Sequence, residues 1–180
     1  MAKPASALLP LRGAQASASQ PHAHVWLSAS AGTGKTHVLT ARVFRLLLGG
    51  VAPEAILCLT FTKAGASEMA ERIHSRLAAW VQMDGPELAA DLIALGEDHG
   101  PERQERARRL FADVLEATGG GLRIQTIHSF CQQLLSAFPL EAGLVPGFRA
   151  LEEREQQELA RQSLEDMVVE AEEQGDAALL

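Results

Sequence analysis

Eight consecutive residues, Ala29-Ser-Ala-Gly-Thr-Gly-Lys-Thr36, bring two glycines, a lysine and a threonine together at a spacing that suits a polyphosphate. Gly32 and Gly34 let the backbone approach an anion where a Cβ would stand in the way. The segment follows apolar Val25-Trp26-Leu27 and opens an apolar-periodic run from His37 to Leu48. Strand, glycine-bearing turn and helix in that order wrap successive N–H groups around an anion. The helix N-terminus adds roughly half a positive charge. In such a loop Ala29, Ser30, Ala31, Gly32, Thr33 and Gly34 surround the phosphates. Lys35 reaches the β- and γ-phosphates, and the Thr36 hydroxyl sits on Mg²⁺. Ala29 stands where the usual pattern has its first glycine.

Two further segments carry a different chemistry. Thr60-Phe-Thr-Lys63 offers the stacking face of Phe61 and, in Thr60, Thr62 and Lys63, groups that bond phosphates; both suit single-stranded nucleic acid. The plainer alternative is a core Phe61 and a Thr62 that caps a helix. Thr126-Ile-His-Ser-Phe130 repeats the mixture of hydroxyl, aromatic and cationic groups, with His128 at its centre. A lone histidine in such a place more often has a structural role.

The elements that must position these groups follow from apolar patterning. His24–Ala29 reads as a buried strand, Thr36–Leu48 as a helix stopped by Gly49-Gly50, and Ala55–Phe61 as a second strand, apolar nearly throughout. Ala64–Met83 reads as a helix with Met69, Ile73, Leu77 and Trp80 on one stripe. Between about 86 and 118 the pattern gives two polar helices separated by His99-Gly100-Pro101. The second bears Arg103, Arg106, Arg108 and Arg109, which read either as a solvated face interleaved with Glu102, Glu105 and Asp113 or as a nucleic-acid contact. A third strand over Leu122–Thr126 and a helix over Ile127–Phe138 follow. Three strands each followed by a helix indicate an α/β protein with a parallel sheet and a helical insertion. In an open parallel sheet, ligands bind beyond the carboxyl ends of the strands, which would gather all three motifs on one edge.

The 180 residues suit one domain, and 47% hydrophobic residues can furnish its core. Residues 1–22, rich in Ala, Ser, Pro and Gln, read as a mobile tail. No stretch is long and apolar enough for a transmembrane helix or a signal peptide, so a cytoplasmic protein is expected. Cys58 and Cys131 lie in apolar-periodic segments and read as buried free thiols. The net charge of −7 is uneven: Glu152–Asp176 holds ten acidic residues against Arg154 and Arg161, a net of −8. That run reads as a solvated helix, and the acidic total excludes a protein that binds nucleic acid over its whole surface.

Taken in order, Ala29–Thr36, Thr60–Met69 and Thr126–Phe130 resemble the first ATPase motifs of superfamily 1 DNA helicases of the UvrD/Rep/RecB kind. The wording of Val25–Thr36 and Phe138–Gly143 is especially similar to the AddA branch, the helicase-nuclease subunits of double-strand break repair in their alphaproteobacterial form. The resemblance covers residues 15 to 160. It implies a P-loop NTPase with a partial RecA-like parallel sheet over 23–138, and the start of a truncated helical subdomain over 139–180. It also implies ATP and Mg²⁺ as ligands, with Lys35 and Thr36 catalytic. Gln15 takes the place of an adenine-reading glutamine, with Gln20 as the nearby alternative. Thr60, Phe61, Thr62 and Lys63, with Thr126 and His128, match segments that line a single-strand DNA track. Single- and double-stranded DNA, and a second, AddB-like subunit, are the implied partners.

Two departures qualify that expectation. Gly65 stands where the family usually has alanine after its lysine-alanine pair, here Lys63-Ala64. No apolar strand in the chain ends in the Asp-Glu pair that holds Mg²⁺ and activates water, and the arginines of a second motor domain are missing too. The chain therefore reads as the N-terminal piece of a longer enzyme, one that binds nucleotide weakly without hydrolysing it. A small P-loop kinase with Arg103–Arg109 as its lid, or a nucleotide-binding adaptor without catalysis, are the competing classes.

Overall fold

The computed structural model describes residues 7–28, 30, 32–117 and 121–174. These divide between two compact units, Met1–Phe130 and Cys131–Leu180. The first opens with a short helix, α1 (Ala14–Ala18), followed by α2 (Lys35–Leu48) and the strand β1 (Leu57–Thr60). Three helices come next, α3 (Lys63–Gln82), α4 (Gly85–Ala94) and α5 (Pro101–Glu116). The strand β2 (Arg123–Thr126) leads directly into α6 (Ile127–Ala137), and α7 (Glu153–Gln174) lies in the second unit. β1 and β2 pair in parallel, with Leu57 opposite Arg123 and Thr60 opposite Thr126.

The core of the first unit is mostly helical. Val43, Phe44, Leu47 and Leu48 of α2 meet Ile73, Leu77 and Trp80 of α3, Leu88 and Leu92 of α4, and Ala107, Leu110 and Val114 of α5. The Phe44 and Trp80 rings lie 5.1 Å apart at 50°, a tilted contact favoured by their quadrupoles. The insertion expected as two polar helices thus supplies a large part of this core. Each helix is polar on one face only, which a count of charged residues does not reveal.

Local signals explain the boundaries. Met83 and Asp84 separate α3 from α4, whose first turn holds Gly85-Pro86 and begins with a capping box in which the Asp84 carboxylate accepts from the Glu87 N–H at 2.8 Å. Gly49 closes α2 by donating its N–H to the Arg45 carbonyl.

Two expectations are corrected. His24–Ser28 forms no strand: Trp26 is 94% exposed, and Val25 and Leu27 are exposed with it. A buried parallel strand needs a neighbour on its ladder, and among the described residues the sheet consists of β1 and β2, with His24–Ser28 paired to neither. Ala29, the last residue of that expected strand, lies outside the described residues. The N-terminal segment, expected to lead loosely into the sheet, is instead docked. The Leu8 N–H donates to Asp91 at 3.0 Å, the Leu11 N–H donates to the Ala94 carbonyl at 3.0 Å, and Ser19 is fully buried.

The cysteines also differ from expectation. Cys58 is half-buried on β1 and its thiol pKa is pushed up by that burial, whereas Cys131 is exposed. In the second unit, α7 occupies the acidic run as expected. Arg149 and Glu155 pair bidentately near its start, and Arg161 bridges Glu158 and Glu165 along it. No helix among the described residues is long and apolar enough to cross a membrane.

Candidate nucleotide site and strand-end face

The turn before α2 has the backbone its glycines permit. Gly32 and Gly34 sit at φ of +78° and +89°, a region that side-chain-bearing residues rarely enter. Gly34 is the N-cap of α2, and no side chain caps that helix end. The start of α2 thus lacks the side-chain cap that commonly serves a helix N-terminus, an arrangement that fits an anion. Ser30 organises the turn: its carbonyl accepts from the Thr33 hydroxyl at 2.7 Å and from the Lys35 ammonium at 2.8 Å. Lys35 is exposed and Thr36 half-buried at the first turn of the helix. Ala29 and Ala31, the remaining expected loop residues, lie outside the described residues.

The two glutamines of the N-terminal segment are separated by their surroundings. The Gln15 carbonyl oxygen accepts from the Arg12 N–H at 3.3 Å, and its Nε2 lies 3.6 Å from where a Cβ on Gly34 would stand. The Gln20 side chain accepts from Arg45 at 3.3 Å. Gln15 is thus the glutamine beside the loop.

The parallel register places the ends of β1 and β2 level with each other. Phe61 emerges from the first end 84% exposed, so it is not a core residue. Thr62 caps α3 by accepting the Gly65 N–H at 3.0 Å, and Lys63 opens that helix exposed to solvent. At the second end Thr126 is only 7% exposed. Its hydroxyl accepts from the Ser129 N–H at 3.1 Å and shares a 2.8 Å bond with the Ser129 hydroxyl, so it caps α6 rather than facing outward. His128, one residue into α6, is exposed. The structure therefore brings Thr60, Phe61, Lys63 and His128 to one end of the strand pair and withdraws the Thr126 side chain. The phosphate turn is linked to this face through the packing of α2 on α3, not through a shared sheet.

Gly65 explains a local departure. A Cβ there would lie 3.0 Å from both the Thr60 and Thr62 hydroxyl oxygens, so the glycine lets the two threonines close over the start of α3.

The arginines of α5 divide between a solvated face, where Arg109 pairs with Glu105 at the expected spacing, and contacts to the ends of neighbouring helices. Arg103 and Arg106 donate to the carbonyls of Leu48 and Leu47 at 2.6 and 3.2 Å, satisfying the C-terminal end of α2 where cations are favoured. Arg108 donates to the Met83 carbonyl at 3.0 Å, and Arg109 pairs with Glu105 along the helix. Residues engaged in this way make poor material for a kinase lid.

Several polar residues near the turn escaped the motif reading. His37 follows Thr36, and its Nε2 is buried without a hydrogen-bond partner among the described residues. It lines a cleft between α2 and α3 with Thr40, Phe44, Arg72 and Arg76. Arg42 and Arg45, on the same helix, bind the N-terminal segment. Their signal was available as two arginines within an otherwise apolar run. Among the described residues no group of three or more His, Cys, Asp or Glu could hold a metal ion.

Comparison with known proteins places these features in a family. Residues 12–178 match the UvrD/REP helicase N-terminal domain. The relatives are A subunits of ATP-dependent helicase/nucleases. The chain is 33% identical over 134 residues to the one from Streptococcus sanguinis, covering 74% of this chain and 9% of that protein. It is 35% identical over 127 residues to the one from Latilactobacillus sakei, covering 71% of this chain and 12% of the relative. For Pelotomaculum thermopropionicum the figures are 36% over 146 residues, 79% and 10%. The chain thus spans only between 9% and 12% of the length of these relatives. The described residues form an α/β arrangement, and the chain belongs to the UvrD/Rep family of helicase N-terminal domains.

Proposed function

We propose that this chain provides the ATP-grasping part of a DNA-translocating helicase, built on a partial RecA-like sheet. The observation that carries this reading is the uncapped N-terminus of α2, preceded by two glycines at positive φ and bearing Lys35 and Thr36 in its first turn. ATP and Mg²⁺ suit that arrangement, since donors and a cation converge where side-chain oxygens would otherwise sit. Bound Mg²⁺ would offset charge on the β- and γ-phosphates. The chain's own residues do the rest. Ser30, Gly32, Thr33 and Gly34 direct backbone N–H groups at the phosphates. Lys35 leaves the Ser30 carbonyl for the phosphates, and Thr36 turns its hydroxyl to the metal.

Gln15 reads the adenine edge. A side-chain amide can accept from one position and donate to the next, which matches the N6 and N7 positions of adenine and mismatches guanine. Phe61 stacks on a base of single-stranded DNA while Lys63 and Thr60 engage phosphates, with His128 alongside. In the longer relatives the names combine helicase and nuclease. For this chain we propose a place in cytoplasmic double-strand break repair, acting on double-stranded DNA with an AddB-like partner.

Binding without turnover is the expected behaviour of these 180 residues, because no apolar strand in them ends in Asp-Glu. The test is a pair of titrations on the purified chain. Fluorescent ATP with Mg²⁺ should bind and lose affinity in Lys35→Ala. Mixed-sequence single-stranded DNA should bind with a salt dependence that weakens in Phe61→Ala/Lys63→Ala. DNA-stimulated, Lys35-dependent ATP hydrolysis would refute the inactivity, and absence of DNA binding would refute the translocase reading.

A further inference from the structure

The phosphate helix and the segment carrying Gln15 are separate stretches of chain, joined through two arginines. Arg42 and Arg45 lie seven and ten residues beyond Lys35 on α2, so Arg42 sits about 10 Å along the axis on nearly the same face as Lys35. Its guanidinium spans four carbonyls of the N-terminal segment. One Nη donates to Ala18 at 3.3 Å and Gln20 at 2.6 Å, and the other to Pro21 at 3.3 Å and Ala23 at 2.7 Å. These carbonyls follow the end of α1, where intrahelical partners run out.

Arg45, 8% exposed, holds the same segment from a deeper position. It donates to the Ala16 carbonyl at 3.4 Å, to the Ser19 hydroxyl at 2.8 Å and to the Gln20 side chain at 3.3 Å. The Ser19 hydroxyl in turn donates to the Ala16 carbonyl at 2.9 Å, one residue beyond Gln15. The Glu97 carboxylate, 2.8 Å away, offsets the buried charge. A rigid planar fork is suited to this task, because its donors diverge at fixed angles and can hold several carbonyls at once.

We propose that Arg42 and Arg45 are positioning residues for nucleotide-base recognition, fixing Gln15 at a set distance from the phosphate turn by bolting its segment to α2. The proposal rests on the reading of Gln15 as the adenine contact. A merely structural pair would hold the fold together and affect all ligands of the turn alike. A positioning pair affects only the base.

The experiment measures Mg²⁺-dependent displacement of fluorescent ATP from the full chain by ATP, GTP and tripolyphosphate. It compares wild type, Gln15→Ala, Arg42→Gln and Arg45→Gln, with amide hydrogen exchange over residues 13–23 recorded alongside. Wild type should prefer ATP to GTP by roughly ten- to a hundredfold, the range of one bidentate base contact. Gln15→Ala and both arginine variants should bring that ratio near one and leave tripolyphosphate binding within about twofold. Only the arginine variants should speed exchange over 13–23. If either arginine variant unfolds, Ser19→Ala serves instead. It removes one acceptor without touching α2 and should lower the ratio by a smaller factor. An arginine variant that keeps the full ATP preference, or weakens all three ligands equally, overturns the positioning role while Gln15 stands. An unchanged ratio in Gln15→Ala overturns the adenine reading and this inference with it.

Discussion

The substitution Asp91→Leu tests what holds the N-terminal segment against the helical core. Asp91 is 1% exposed, and its carboxylate gathers three groups from different parts of the chain. The Trp80 indole N–H donates to it at 2.8 Å, the Leu8 N–H at 3.0 Å, and the Arg76 guanidinium stands 3.3 Å away with its own side chain largely buried. Leucine keeps nearly the same shape, so little of the effect comes from a cavity. Three losses remain. The buried indole N–H goes unpaired, at about 1–3 kcal/mol. The Leu8 N–H, only partly buried, recovers most of its loss from water. Arg76 loses its counter-charge, and removal of one partner from a buried ion pair costs about 3–5 kcal/mol. These losses overlap because they share one carboxylate. The expected total is about 3–4 kcal/mol.

For a unit of this size that corresponds to a fall in Tm of roughly 12–16 °C. Fluorescence in a Trp26→Phe background isolates the signal of Trp80, since the chain has two tryptophans and Trp26 is exposed. The double variant Asp91→Leu/Arg76→Met replaces the whole pair by apolar side chains and should recover about 1–3 kcal/mol of the loss. A cost below about 1 kcal/mol, or additivity of the two substitutions within about 0.5 kcal/mol, would refute this account of the network. Faster amide exchange at Leu8 and Leu11 should accompany the single variant. Unchanged exchange there would show that Asp91 does not hold the segment.

Three other expectations can be checked together. Gly121→Ala should cost about 2–3 kcal/mol in urea unfolding, because Gly121 sits at φ +78° and a Cβ would run into the Val114 carbonyl; a neutral effect would mean the turn relaxes freely. The bond from Arg149, reinforced by the Glu152 N–H, holds the Glu155 carboxyl down to about 2. A lowered pKa in the folded state gives stability that is present above the ordinary carboxylate value of 4.5 and lost as pH falls toward 2. Helical circular dichroism should therefore drop across that window in wild type, and an Arg149→Met variant should lose the dependence. Thiol modification under native conditions should be fast at Cys131 and slow at Cys58, and equal rates would contradict their different burial.

How far these features could be read from sequence depended on whether their cause was local. The turn glycines, the caps at Thr62 and Asp84, and the stripe of Ile73, Leu77 and Trp80 on α3 are written within a few residues of one another, and the elements around them formed close to their expected bounds. His24–Leu27 failed for the opposite reason. Its apolar side chains satisfy a strand pattern, but a strand also needs a neighbour, and pattern says nothing about which segment supplies one. The same limit hid the role of Arg103 and Arg106. Their charges suggested solvent or nucleic acid, whereas their partners, the Leu47 and Leu48 carbonyls, lie more than fifty residues away at the end of another helix.

The candidate site divides along the same line. Lys35 and Thr36 could be proposed from sequence because the chemistry of phosphate binding is compressed into one turn. Which of Gln15 and Gln20 lies beside the turn could not be read from a segment that offers both within six residues. In the structure Gln15 lies beside Gly34, and Gln20 accepts from Arg45. Thr126 shows the converse. Its residue type and its place at a strand end suit phosphate contact, yet the following helix needs a cap and takes the hydroxyl first. A polar side chain at an element boundary serves the backbone before it serves a ligand. On this chain that leaves Thr60, Phe61, Lys63 and His128 as the candidates for outward contact at the strand ends, since their side chains have no such duty among the described hydrogen bonds.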